Sequence, residues 1–235
     1  MSDRSSMSRR DFTSIAAGAL AVPSLMRDAF AAPAPVEPPA RWPGYGNAVV
    51  LDFLASPGPF NTPVKIDALT PEMVANARNS GITAVNLTVG GKDPEEVFRD
   101  IARWERDLDA HPDVLMKIKT VADLKTAKAQ KKFGIIYGFQ DTVSIGSDIS
   151  RIALYHAYGL RIIQLTYNVR NLVGDGCLQP ENGGLTAFGR DVVAELNARK
   201  IIVDTGHTGI RSTEEAIEAS KVPIAISHSA CRAIA

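Results

Sequence analysis

The chain has 235 residues, with 26 basic and 26 acidic side chains and a formal net charge of zero. A balanced charge gives no reason to expect nucleic acid as a partner. An apolar content of 45% is that of a soluble globular chain, long enough for one large core or two small ones.

The N-terminus differs from the rest. Ser8-Arg9-Arg10-Asp11-Phe12-Thr13 is a twin-arginine pattern, followed by a weakly apolar run over residues 14–25 and then by Ala29-Phe30-Ala31. A charged start, a short apolar stretch and small residues at both positions of an A-x-A site form an export signal. The apolar run falls short of the roughly 20 residues needed to cross a bilayer, so no stable transmembrane span is expected. Residues 1–31 are therefore predicted as a twin-arginine signal, which places the mature protein in the periplasm or otherwise outside the cytoplasm. Residues 32–46, rich in Pro and Ala, are predicted as a flexible lead-in that cannot bury a core.

From Asn47 onward, apolar runs alternate with amphipathic stretches. Residues 48–54 read as a buried strand, apolar and bounded by Gly46 and Pro57. Thr70-Pro71-Glu72 starts a helix, with Thr at the N-cap and Pro just inside, and Gly81 ends it. A strand is expected over 82–89, and Asp93-Pro94-Glu95-Glu96 opens a longer helix to about Ala110. A short strand at 116–119 and a helix over 121–131 follow. Strands at 133–139, 161–167, 201–204 and 223–227 alternate with helices at 150–158, 186–199 and one capped by Ser212-Thr213-Glu214-Glu215. Strands separated by helices, without hairpin signals, imply parallel β/α units. A (β/α)8 TIM barrel is the best reading, with an open doubly wound sheet as the alternative. No Gly-rich phosphate loop follows the first strand, which counts against a nucleotide-binding open sheet. The two cysteines, Cys177 and Cys231, could form one disulfide in an oxidising compartment, but two unpaired buried thiols are the expectation.

Asp52, Gln140, Tyr167, Asn168, His207 and His228 all fall at or just past C-terminal strand ends. In a barrel that rim is where active sites are assembled from several βα loops. Val203-Asp204-Thr205-Gly206-His207 and Ile226-Ser227-His228-Ser229 are each a strand running into a histidine, and the strands are consecutive. Adjacent parallel strands lie about 4.8 Å apart, so the two imidazoles could converge on one ion; imidazole suits zinc. Metal ligands and hydrogen-bonded rim histidines both remain open on spacing alone. His111, before Pro112, and His156, on a helix, are expected to be surface or packing residues.

The stretch Gly159-Leu160-Arg161-Ile162-Ile163-Gln164-Leu165-Thr166-Tyr167-Asn168, then Asn171, then Gly183-Gly184-Leu185-Thr186-Ala187-Phe188-Gly189, resembles the signature of the membrane (renal) dipeptidases, peptidase family M19. The resemblance runs on through Asp204-Thr205-Gly206-His207 and Ser227-His228-Ser229-Ala230. It is good over residues 130–235 and loose over 47–130. It implies a zinc-dependent (β/α)8 barrel that hydrolyses dipeptides through a water bridging two zinc ions, with His207 and His228 as the two histidines of one zinc.

Other positions depart from that pattern. The family's first strand ends in a His-x-Asp motif for the other zinc, where this chain has Leu54 and Ser56. Gln140 stands at the family's bridging glutamate, and Tyr167 at a substrate-facing histidine. A neutral amide is a poor bridge between two cations. One zinc is therefore expected rather than two, held by His207 and His228, with Asp52, Gln140 and Asp141 as candidate additional ligands and Tyr167 and Asn168 as substrate-binding residues.

About six of the eight barrel units are counted, and the missing two would carry the family's late aspartate. The chain over 47–235 is thus expected to be a partial barrel, a fragment or truncated product prone to self-association, with a homodimer as one outcome. The functional expectation is an exported zinc-dependent dipeptidase-like hydrolase acting on a small dipeptide or other amide. The alternative is a non-catalytic barrel of the same ancestry that binds a small molecule or peptide. A serine hydrolase is disfavoured: there is no G-x-S-x-G elbow, and Ser227 beside His228 in sequence does not by itself bring their side chains together.

Overall fold

A computed structural model describes residues 42–60 and 66–229. The export signal, most of the lead-in, and Cys231 lie outside the described residues. Contacts divide the chain into Met1–Trp42 and Pro43–Ala235, and every strand and helix described belongs to the second unit. Residues 43–47 form a turn in which the Asn47 and Ala48 N–H groups donate to the Gly44 carbonyl. The last residues of the predicted lead-in are therefore folded into a turn.

All strand pairs are parallel. The order is β1 (Leu51–Asp52), β2 (Ala84–Thr88), β4 (Phe133–Phe139), β5 (Leu160–Gln164) and β6 (Ile202–Asp204). A single parallel bridge from Asp204 to Ala225 adds the 223–227 segment as a sixth stave. The result is a curled parallel half-barrel with helices between the staves. The short strand β3 (Leu115–Lys117) lies off this path. It pairs with the first half of β4, Leu115 opposite Phe133, while β5 pairs with the second half, Phe139 opposite Ile163. Since β2 takes the other edge of β4 from Gly134 to Gly138, β3 and β5 share one edge, and the register of the β4–β5 pairing shifts between Tyr137 and Gly138, just past its start.

The helices begin where their caps predict. In α1 (Pro71–Ser80), Thr70 accepts from the Met73 N–H, Pro71 occupies the first turn, and Gly81 closes the helix in the left-handed region at φ 75°. Asp93 caps α2 (Pro94–Ala110). Thr120 and Asp123 form a reciprocal capping box on α3 (Val121–Gln130). After the short α4 (Arg151–Ala157), Thr186 caps α5 (Ala187–Ala198) by accepting from Gly189 N–H at 2.9 Å.

Three expectations are corrected. Residues 48–54 are not a long buried strand: only Leu51 and Asp52 pair, and Leu51 and Phe53 are exposed, because β1 sits at the edge with β2 as its partner among the described residues. Ser212 does not cap the last helix. That helix, α6 (Ile210–Ala219), starts after Gly209, so Ser212 is buried inside its first turn, where its hydroxyl accepts from the Asp175 N–H at 3.1 Å. Cys177 is free and exposed rather than buried.

Side chains alternate across the staves as pleated strands require. Val85, Leu87, Ile135, Tyr137, Phe139, Ile163 and Val203 join the main apolar core shared with the helices. On the opposite face Ile136 packs against a small second cluster of Ala84, Ile118 and Ala127, and toward the strand ends that face becomes small or polar: Asn86, Gly138, Gln164 and Asp204, of which the three polar ones are buried. A side chain at Gly138 would meet Asn86 Oδ1 at 2.1 Å, so glycine there makes room for the amide. Buried polar side chains need partners. Here they sit at the strand ends that lead into the functional loops.

Candidate functional site

The loop after β5 carries Tyr167 and Asn168. Asn168 takes a left-handed conformation at φ 61°, which asparagine tolerates better than most residues. Its carbonyl accepts from Leu178 N–H at 2.7 Å. Asn171 ties the same loop to its neighbours: its Nδ2 donates to Thr142 Oγ1 and to the Leu165 carbonyl, and its Oδ1 accepts from Val173 N–H. The loop therefore has a fixed course before it reaches the histidines.

His207 follows β6 by three residues. The Asn168 Oδ1 lies 2.7 Å from its Nδ1, the Tyr167 ring stacks on it at 4.1 Å between centroids, and its carbonyl accepts from Cys177 N–H. His228 meets it edge to face at 4.8 Å. The Nδ1 of His228 is 2.8 Å from Ser227 Oγ, and Ser227 Oγ donates to Asp204 Oδ2 at 2.5 Å. Asp204, only 1% exposed, also accepts from the N–H groups of Ser227 and Gly206.

These partners assign the ring protons. An amide oxygen can only accept, so Nδ1 of His207 carries hydrogen and its Nε2 is left with a lone pair. A carboxylate can only accept, so the Ser227 hydroxyl spends its one hydrogen on Asp204, accepts from Nδ1–H of His228, and leaves Nε2 of that ring as an acceptor too. That Nε2 is buried and has no hydrogen-bond partner. Ser227 and His228 do meet, contrary to the caution drawn from their adjacency. The direction of the bond nevertheless argues against a serine nucleophile, because a base would have to take the serine proton rather than donate to the oxygen.

The other sequence candidates are engaged in bonds of their own. Asp52 is exposed and accepts from Leu54 N–H in its own turn. Gln140 donates to Thr88 Oγ1, and its carbonyl accepts from Gln164 Nε2. Asp141 accepts from Val143 N–H, and burial pushes its carboxyl above the usual range. Ser56, at one of the family's ligand positions, accepts from Gly58 N–H. Among the described residues no three His, Cys, Asp or Glu side chains gather in a group that could hold a metal. The described donor set does not fit a two-metal centre. Two imidazole lone pairs, one of them a buried orphan, fit half the coordination shell of one ion.

Beside the histidines, a cavity of about 460 Å³ is lined by Tyr167, Gln140, Asp141, Lys92, Glu96 and their neighbours. Tyr167 thus joins the imidazole pair to the cavity. Asp204 and Ser227 are the site residues that sequence reasoning missed. The available signal was an acid at a strand end three residues before a histidine, but its partner is 23 residues away.

The model of the membrane dipeptidases, peptidase family M19, matches residues 71–235. The chain belongs to this family. The Aspergillus oryzae protein named dipeptidase aclJ is 28% identical over 143 residues, covering 59% of this chain and 34% of that relative. An amidohydrolase structure from Pseudomonas aeruginosa is 32% identical with a TM-score of 0.69, covering 78% of this chain and 54% of the other. A metallo peptidase from Rhodobacter sphaeroides, liganded with a phosphinate mimic of the dipeptide L-Ala-D-Ala, shares the fold at 18% identity and a TM-score of 0.59, over 64% and 54% of the two chains. The M19 chain described here thus spans about a third of that curated relative and about half of those solved chains.

Burial lowers the affinity of His207 for a proton, the neighbouring His228 lowers it further, and Asp204 opposes both. The sign follows. A folded state that binds the proton less readily than the unfolded chain gains stability that is complete above the ordinary imidazole value of 6.5. That stability is lost as pH falls through the lowered value. Thermal unfolding followed between about pH 8 and pH 5 should show Tm falling below the ordinary histidine range, with a shallower fall in His207→Gln.

Proposed function

We propose that this M19 protein is a zinc-dependent hydrolase of peptide bonds in small dipeptides, acting through one metal ion held by His207 and His228. The observation that carries the reading is the pairing of two imidazoles at the C-terminal ends of consecutive parallel staves, each with its Nδ1 tied to an oxygen acceptor. Such outer-shell partners fix the tautomer and orientation of metal-binding histidines. Borderline nitrogen donors suit zinc, which when bound lowers the pKa of its water to about 7 and polarises a carbonyl. The 43% exposed Tyr167, stacked on His207 and facing the cavity, would meet the substrate, with Asn168 holding the ring behind it. The twin-arginine pattern supports export to the periplasm, where a signal cleaved after Ala31 would leave the mature chain.

The test is hydrolysis of a dipeptide panel, beginning with L-Ala-D-Ala, by the full chain with zinc added and with a chelator. Zinc-dependent release of free amino acids, stopped by the chelator, is the expected result. The absence of a third ligand among the described residues favours a second reading, a binding barrel of the same ancestry. Saturable dipeptide binding with no turnover at any zinc concentration would overturn the hydrolase and leave that reading.

A further inference from the structure

Asp204, Ser227 and His228 form a chain of hydrogen bonds with one direction. Asp204 Oδ1 is committed to two backbone donors, Gly206 N–H at 3.1 Å and Ser227 N–H at 2.9 Å. This fixes the carboxylate plane and turns Oδ2 toward Ser227 Oγ at 2.5 Å. Ser227 Oγ in turn meets Nδ1 of His228 at 2.8 Å. At the far side of the ring, Nε2 is buried without a partner. An unpaired buried acceptor costs free energy unless a ligand completes it.

We infer that Asp204 and Ser227 are positioning residues that lock His228 in the Nδ1–H tautomer, so that its Nε2 lone pair faces a metal ion. The inference rests on the proposed metal site. A serine hydroxyl can pass either direction along such a chain, so the direction is set by the acid at its end. With a carboxylate there, Ser227 must donate to Asp204 and accept from the ring. With asparagine there, the geometry reverses it. Asp204→Asn would keep Oδ1 on the two backbone donors and place the new NH2 against Ser227 Oγ. The hydroxyl would then donate to Nδ1 of His228, and the ring proton would move to Nε2, the atom the metal needs.

The test uses the metal-free full chain, labelled with nitrogen-15 at histidine, at about pH 8, where imidazole is neutral. Ring nitrogen shifts report the tautomer directly, and zinc titration against a chromophoric chelator reports affinity. Wild type should be Nδ1–H at His228 and Asp204→Asn should be Nε2–H, with zinc affinity lower by about 10–100-fold. Ser227→Ala, with no hydroxyl to direct the ring, should drift toward Nε2–H, and Ser227→Thr, which keeps the hydroxyl, should restore both the tautomer and the affinity. The two serine variants keep the test open if Asp204→Asn fails to fold. Nε2–H in wild type, or Nδ1–H kept in Asp204→Asn and Ser227→Ala alike, would overturn the lock, even if zinc still binds. The predicted tautomers with no zinc bound by wild type would overturn the presentation to a metal and the metal site with it.

Discussion

Replacing His207 and His228 together with alanine is expected to abolish zinc binding while leaving the half-barrel folded. Each ring offers one Nε2 lone pair, and no third His, Cys, Asp or Glu among the described residues joins them in a group. Removing both leaves the rim with no imidazole donor. Loss of an outer-shell partner alone costs up to about 100-fold in metal affinity, so loss of both donors should cost more than that. The structural penalty is smaller. His207 is half-buried at the rim and would give up its stack on Tyr167 and its bond to Asn168. These are contacts of about 1 kcal/mol each. Zinc titration with a competing chelator and a far-ultraviolet circular dichroism spectrum separate the two effects. Undiminished zinc affinity in the double variant would place the metal elsewhere.

Gly189→Ala is expected to be costly for a single added methyl. Gly189 lies in the first turn of α5, where alanine would ordinarily gain about 1 kcal/mol over glycine. Here a Cβ would sit 2.0 Å from the carbonyl oxygen of Val173. That oxygen belongs to backbone held in place, since it accepts from Thr186 N–H at 2.9 Å and Val173 itself is 1% exposed. Overpacking against backbone commonly costs about 1–3 kcal/mol and sometimes more. With a backbone clash this close at the upper end of that range and the helix gain offsetting about 1 kcal/mol of it, the net loss should be about 2 kcal/mol, or roughly 4–8 °C in Tm for a domain of this size. Because Val173 and Asn171 share the loop that carries Asn168, the same variant should also weaken zinc binding. Gly90→Ala is the control: its nearest neighbour would be Thr88 Cγ2 at 3.8 Å, and its Tm should be unchanged. A Gly189→Ala protein as stable as the control would show that the loop yields easily.

What the sequence disclosed was local chemistry. Thr70-Pro71 and Asp93-Pro94 specify helix starts because a capping oxygen and a proline act within a few residues, and both helices begin there. Apolar runs located the staves but not their pairing. Residues 48–54 and 223–227 read alike, yet one supplies a two-residue exposed strand and the other a single bridge. Burial depends on which neighbours cover a stave, and periodicity does not contain that information. The histidines were legible as strands ending in imidazole. The Asp204–Ser227 link was not, because a hydrogen bond between neighbouring staves leaves no trace in local spacing. Cys177 shows the same limit, since an average preference for burial says nothing about a residue on an excursion loop.

The claim on which the rest depends is that His207 and His228 hold one metal ion. Elemental analysis of the purified full chain, after zinc loading and removal of the excess, tests it most directly. About one zinc per chain, absent from the His207→Ala, His228→Ala protein, is the result predicted. No retained metal, or two ions per chain, would contradict it.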